Sequence, residues 1–121
     1  MPIERLHVGS RLSDAVLVSP ANERLVFLAG QVAEDRHADM RVQTEQVLRA
    51  IERLLQEVGS DKTRLVSANV YLPEMSDYNT LNEVWEAWVV PGQTPARATV
   101  QARLAHPDYK IEIQVIATAP A

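Results

Sequence analysis

A chain of 121 residues with 46% apolar content is long enough for one domain with a core of its own, over 1–121, and too short for two. It has no cysteine, which excludes a disulfide framework, a thiol nucleophile and a cysteine-ligated zinc site. Its net charge of -4 comes from interspersed acids and bases, so the basic block expected of a nucleic-acid binder is missing.

The start, Met1-Pro2-Ile3-Glu4-Arg5, carries no basic-then-apolar leader pattern, and no apolar run approaches the ~20 residues that span a bilayer. A cytoplasmic protein with neither membrane nor nucleic acid as partner is the expectation. Ile3 to Val8 can form a short first strand. Leu12 to Val18 and Arg24 to Ala29 then read as a β-hairpin, because Ser19-Pro20-Ala21-Asn22-Glu23 between them suits a turn. Gly30 closes the second hairpin strand, and Gln31 to Ala38 reads as a loop.

Asp39 is placed to cap a helix in which Val47, Leu48, Ile51, Leu54, Leu55 and Val58 recur at helical spacing, ended by Gly59. Leu65 to Leu72 alternates as a strand does, and Pro73 stops it. Ser76 or Asp77 can cap a second helix, whose stripe Leu81, Val84, Trp85 and Trp88 ends before Pro91-Gly92. Ala96 to Leu104 and Lys110 to Ala117 alternate again. The order ββαβαββ predicts an α+β fold with both helices on one sheet face. The opposite face is expected to carry Ser67, Asn69, Arg97, Thr99, Gln101 and Gln114 beside Tyr71, a mixture that suits open solvent or the interior of an oligomer.

His7, His37 and His106 have no partners at metal-binding spacing, so no metal site is expected. No GxSxG elbow and no glycine-rich phosphate cradle occur, and Trp85 and Trp88 fit packing better than ligand stacking. Arg97 remains. A guanidinium on a strand is a rigid fork matched to a carboxylate, although spacing alone favours a solvated cation beside Arg103, loosely paired with Glu112.

The string Thr94-Pro95-Ala96-Arg97-Ala98-Thr99-Val100, followed by Lys110-Ile111-Glu112-Ile113-Gln114-Val115-Ile116-Ala117, resembles the C-terminal signature of the Rid (reactive intermediate deaminase, or YjgF) family. Leu28-Ala29-Gly30-Gln31-Val32 resembles that family's "SGQ" strand end, and Asn82-Glu83-Val84-Trp85-Glu86-Ala87-Trp88 resembles its second helix. The resemblance implies a chorismate-mutase-like fold, a homotrimer whose sheets form a central barrel, and clefts between subunits. It further implies cofactor-free hydrolysis of enamines and imines such as 2-aminoacrylate to 2-oxo acids and ammonia. On that basis Arg97 would grip the substrate carboxylate, with Gly30, Asn82 and Thr99 around the cleft.

Three departures mark a divergent subgroup. Gln114 stands where the reading places a family glutamate, Ala29 where serine is common, and Arg11-Leu12-Ser13-Asp14-Ala15-Val16 where a tyrosine-bearing segment is usual. Gln114 can orient water through its amide but cannot exchange a proton at neutral pH. Asp14 is a candidate replacement in the cleft. The expected function is therefore an enamine/imine deaminase. The alternatives are a non-catalytic trimer binding small carboxylates or 2-oxo acids and, third, an endoribonuclease, which the acidic balance disfavours.

Overall fold

The strand and helix periodicities emerge in the predicted order in the computed structural model, which describes residues 3–8, 10, 13–19 and 22–121. The elements are β1 (Ile3–Val8), β2 (Ser13–Val18), β3 (Glu23–Leu28), α1 (Met40–Glu57), β4 (Leu65–Leu72), α2 (Tyr78–Trp88), β5 (Ala96–Gln101) and β6 (Glu112–Pro120). Leu12, the predicted start of the second strand, and Pro20-Ala21, the centre of the predicted turn, lie outside the described residues, as do Met1, Pro2 and Arg11.

The strands form one mixed sheet in the order β1-β2-β3-β6-β4-β5. Every neighbouring pair is antiparallel except β4 and β5, which are parallel and joined through α2. A parallel pair needs such a crossover because no hairpin can return the chain to the same end of the sheet. β5 stops at Gln101 rather than running to Leu104 as predicted. Its sole partner, β4, ends at Leu72, and Pro73 beyond it offers no N–H to extend the ladder.

α1 starts where predicted: the Asp39 carboxylate accepts the Val42 N–H at 2.9 Å. It ends at Gly59, whose φ of 76° is readily adopted by glycine. Its apolar stripe, Val47, Leu48, Ile51 and Leu55, is buried in one core with Leu17, Val26, Val70, Ile113 and Val115 of the sheet. No helix is long and apolar enough to cross a membrane among the described residues.

One buried polar residue ties this core to the loops. Gln43 is fully buried, and its Nε2 donates to the carbonyls of Arg36, Ala38 and Asp108, each at 3.0 Å. Its Oε1 accepts the Lys110 N–H at 2.9 Å. Gln43→Leu keeps the volume but strands these groups, so denaturant unfolding should register a loss of about 1–3 kcal/mol.

The strand registers correct one expectation. Arg97 and Thr99 pair with Ala68 and Val70, both buried beneath the helices, whereas Ala96, Ala98 and Val100 pair with Ser67, Asn69 and Tyr71 on the uncovered face. Arg97, Thr99 and Gln101 are therefore on the helix side, not on the open side with Gln114. Alternation groups these residues correctly, but only the register with β4 decides which group faces the helices. The uncovered face is more apolar than expected, with Phe27 37% and Val100 47% exposed near the half-buried Val16, Tyr71 and Ile116.

Candidate functional site

Arg97 is half-buried on β5, one of the two edge strands, under α2. Leu81, Val84 and Trp85 anchor that helix in the core. This places Tyr78, Asn82 and Trp85, spaced i, i+4 and i+7, along a stripe toward β5. Arg97 Nη2 donates to Asn82 Oδ1 at 2.8 Å, and its Cζ lies 5.3 Å from the Trp85 ring centroid and 6.0 Å from that of Tyr78. Thr99 follows on the same face, and its buried Oγ1 has no hydrogen-bond partner among the described residues. The structure thus brings together Arg97 and Asn82, with Thr99 beside them on the strand.

A second centre forms at Gly30. The Gln31 N–H donates to the Ile113 carbonyl at 2.8 Å, and the Ile113 N–H returns to the Gln31 carbonyl at 3.1 Å. That bridge presses the end of β3 against the start of β6. A Cβ built on Gly30 would lie 2.1 Å from Glu112 Oε2, so only glycine leaves room for this carboxylate. Glu112 pairs with Tyr71 and shares the uncovered face with Gln114. Gln114 is exposed and pairs with Asn69, further along the strand from Gly30. The carboxylate at the strand end is thus Glu112, which spacing alone places only as a loose surface partner of Arg97. Alternation assigns Glu112 and Gln114 to one face alike, and the Gln31–Ile113 bridge distinguishes them.

Asp14 is occupied elsewhere. Its carbonyl accepts the Ala29 N–H at 2.8 Å, while its Oδ2 lies 2.6 Å from His7 Nδ1. His7 Nε2 faces Glu57 Oε2 at 3.2 Å, so both imidazole nitrogens meet carboxylates beside a groove of about 620 Å³ that Gln31 and Arg53 also line. The Asp14 hydrogen bond, and then the Glu57 charge, raise the His7 pKa above its ordinary value of 6.5. A raised folded-state pKa means that the imidazolium contribution is fully present below pH 6.5 and is lost as pH rises through the folded value. With the intrinsic base-catalysed rise divided out, protection of the β1 amides from hydrogen exchange should accordingly fall across that interval, and His7→Gln should remove this pH dependence of the protection. His37 and His106 instead approach Asp108, at 3.6 and 3.7 Å. No group of three or more His, Cys, Asp or Glu is placed to hold a metal ion among the described residues.

Within one chain the two centres lie on opposite faces of the sheet: Arg97 beneath α2, Glu112 on the uncovered side. The first offers a fork of donors suited to a carboxylate, the second an oxygen that can accept and return a proton.

A family model described as "Endoribonuclease L-PSP" matches residues 3–119. The chain belongs to this family, also called YjgF, RutC or Rid. A RutC family protein of Haemophilus influenzae is 40% identical over 119 residues, covering 98% of this chain and 99% of the relative. The crystal structure of a YjgF family member from Neisseria meningitidis superposes with a TM-score of 0.91 at 42% identity, covering 100% of this chain and 98% of that one. At greater distance, the 2-iminobutanoate/2-iminopropanoate deaminase of Rattus norvegicus is 31% identical over 111 residues, 87% of this chain and 77% of the rat protein. The fold expected from the resemblance agrees with the Neisseria structure.

Proposed function

We propose that the protein is a cytoplasmic, cofactor-free hydrolase of small 2-imino acids and their enamine tautomers, releasing the 2-oxo acid and ammonia. The carrying observation is the Glu112 carboxylate against Gly30, because it supplies the proton-transfer group that Gln114 cannot. The name of the rat relative, a deaminase of 2-iminobutanoate and 2-iminopropanoate, supports the substrate class.

In this reading Arg97 binds the substrate carboxylate, and Asn82 and Thr99 border it. The enamine tautomerises to an imine. Water adds to the imine carbon as one of its protons passes through Glu112 to the imine nitrogen, giving the neutral carbinolamine. Glu112 then takes the hydroxyl proton and delivers it to the amine, so that C=O forms as the C–N bond breaks and ammonia leaves. Gln114, on the same face as Glu112, orients water through its amide, while Gly30 leaves the space in which the carboxylate sits. Little more is required, since the imine carbon is already electrophilic and positioning supplies much of the rate.

The opposite placement of Arg97 and Glu112 supports assembly as a homotrimer, in which the uncovered face packs inward and a cleft takes Arg97 from one protomer and Glu112 from the next. Exposed Phe27 and Val100 favour such burial. An RNA substrate is disfavoured by the net charge of -4. The test generates 2-iminobutanoate with an amino-acid oxidase and follows its decay. Acceleration over the spontaneous rate supports the reading. A spontaneous rate, in conditions where an active Rid deaminase accelerates decay, overturns it, and binding of 2-oxobutanoate without turnover would instead identify a carboxylate-binding trimer.

A further inference from the structure

The surroundings of Arg97 differ from those of the arginines that are ion-paired in the structure. Arg36, Arg41 and Arg64 each face a carboxylate, those of Asp108, Glu83 and Glu23. Arg97 has no carboxylate within ion-pair distance among the described residues and is held by two aromatic rings and a neutral amide. A carboxylate partner would fix the guanidinium but also satisfy its charge. Aromatic faces attract the cation through their quadrupoles while leaving its in-plane N–H groups free, and the Asn82 oxygen engages the Nη2 end without a counter-charge. Trp85, 6% exposed and packed in the core, is a fixed wall, whereas Tyr78 is 40% exposed at the outer end of the same stripe.

We propose that Trp85 and Tyr78 are positioning residues for the carboxylate anchor: together with Asn82 they form a neutral cradle that fixes the Arg97 guanidinium and leaves its charge for the ligand. The inference rests on Arg97 being that anchor. It adds two aromatic residues of α2 to the determinants of affinity for small carboxylates, neither of which touches the reacting atoms.

The test uses nitrogen-15-labelled full-length protein, with the Arg97 side-chain resonance assigned by its loss in Arg97→Lys. The wild-type Nε–H signal should be displaced by the ring currents, stay displaced in Trp85→Phe, and return toward the ordinary arginine position in Trp85→Leu and, in part, in Tyr78→Leu. In the imine assay KM should rise about 5- to 30-fold in Trp85→Leu and about 2- to 5-fold in Tyr78→Leu, with Trp85→Phe near wild type. A merely structural loss shrinks the active fraction and leaves KM unchanged. An undisplaced wild-type signal, or an unaltered KM in both leucine variants, overturns the proposal. If the wild-type protein shows no turnover, or Arg97→Ala leaves KM unchanged, the anchor reading fails separately, and the resonance still decides whether the rings position the guanidinium.

Discussion

Arg97→Ala is expected to lower kcat/KM for 2-iminobutanoate by at least about a hundredfold, the scale on which removing one partner of a charge-assisted, partly desolvated contact acts. Most of the effect should fall on KM, because the substrate carboxylate is bound in ground and transition state alike. The thermal midpoint should move little, since Arg97 is half-buried at the sheet edge and its one side-chain hydrogen bond among the described residues goes to Asn82. Arg97→Lys should recover part of the loss at most, because an ammonium keeps the charge but not the fork. Steady-state kinetics beside a melting curve read both expectations at once.

Glu112→Gln should lower kcat by about 10²- to 10⁴-fold, the usual contribution of a positioned acid-base group, and leave KM nearly unchanged. Gly30→Ala approaches the same defect from the other side. Its new methyl meets the end of the flexible Glu112 side chain, with Cδ 2.9 Å away, so the carboxylate must turn aside while the backbone can stay in place. Gly30 is not among the glycines with positive φ, so alanine adds no backbone strain there. A fall in kcat of at least about 10-fold is expected with a melting point close to wild type. A large loss of stability in Gly30→Ala would show instead that the glycine serves packing.

Much of this was legible from spacing. The helical stripe from Val47 to Leu55, the Asp39 cap and the alternation of β4 through β6 each carry a local signal, and each element forms, although β5 ends at Gln101 and β6 runs from Glu112 to Pro120 instead of Lys110 to Ala117. Arg97 and Asn82 were legible as a pair only through the resemblance, since 15 residues and a crossover separate them. The face of Arg97 was not legible, because a period of two names two groups of residues without saying which one the helices cover. Glu112 was missed for a related reason. Its distinction from Gln114 lies in the Gln31–Ile113 bridge, a contact between segments far apart in the chain that leaves no local pattern. For Asp14, its place at a strand end suits a cleft residue or a solvated turn residue, and its imidazole partner, which comes from the neighbouring strand, leaves no local pattern.

In the proposed mechanism, the separation of Arg97 and Glu112 by the thickness of a sheet would make turnover a collective property. A solution diluted until the protomers part should lose activity out of proportion to its concentration, while each chain stays folded. Two variants that are each impaired at low substrate, Arg97→Ala in KM and Glu112→Gln in kcat, should recover activity there when unfolded together and reassembled. Random mixing in a closed ring restores about a quarter of the clefts, each built from the intact half of either parent.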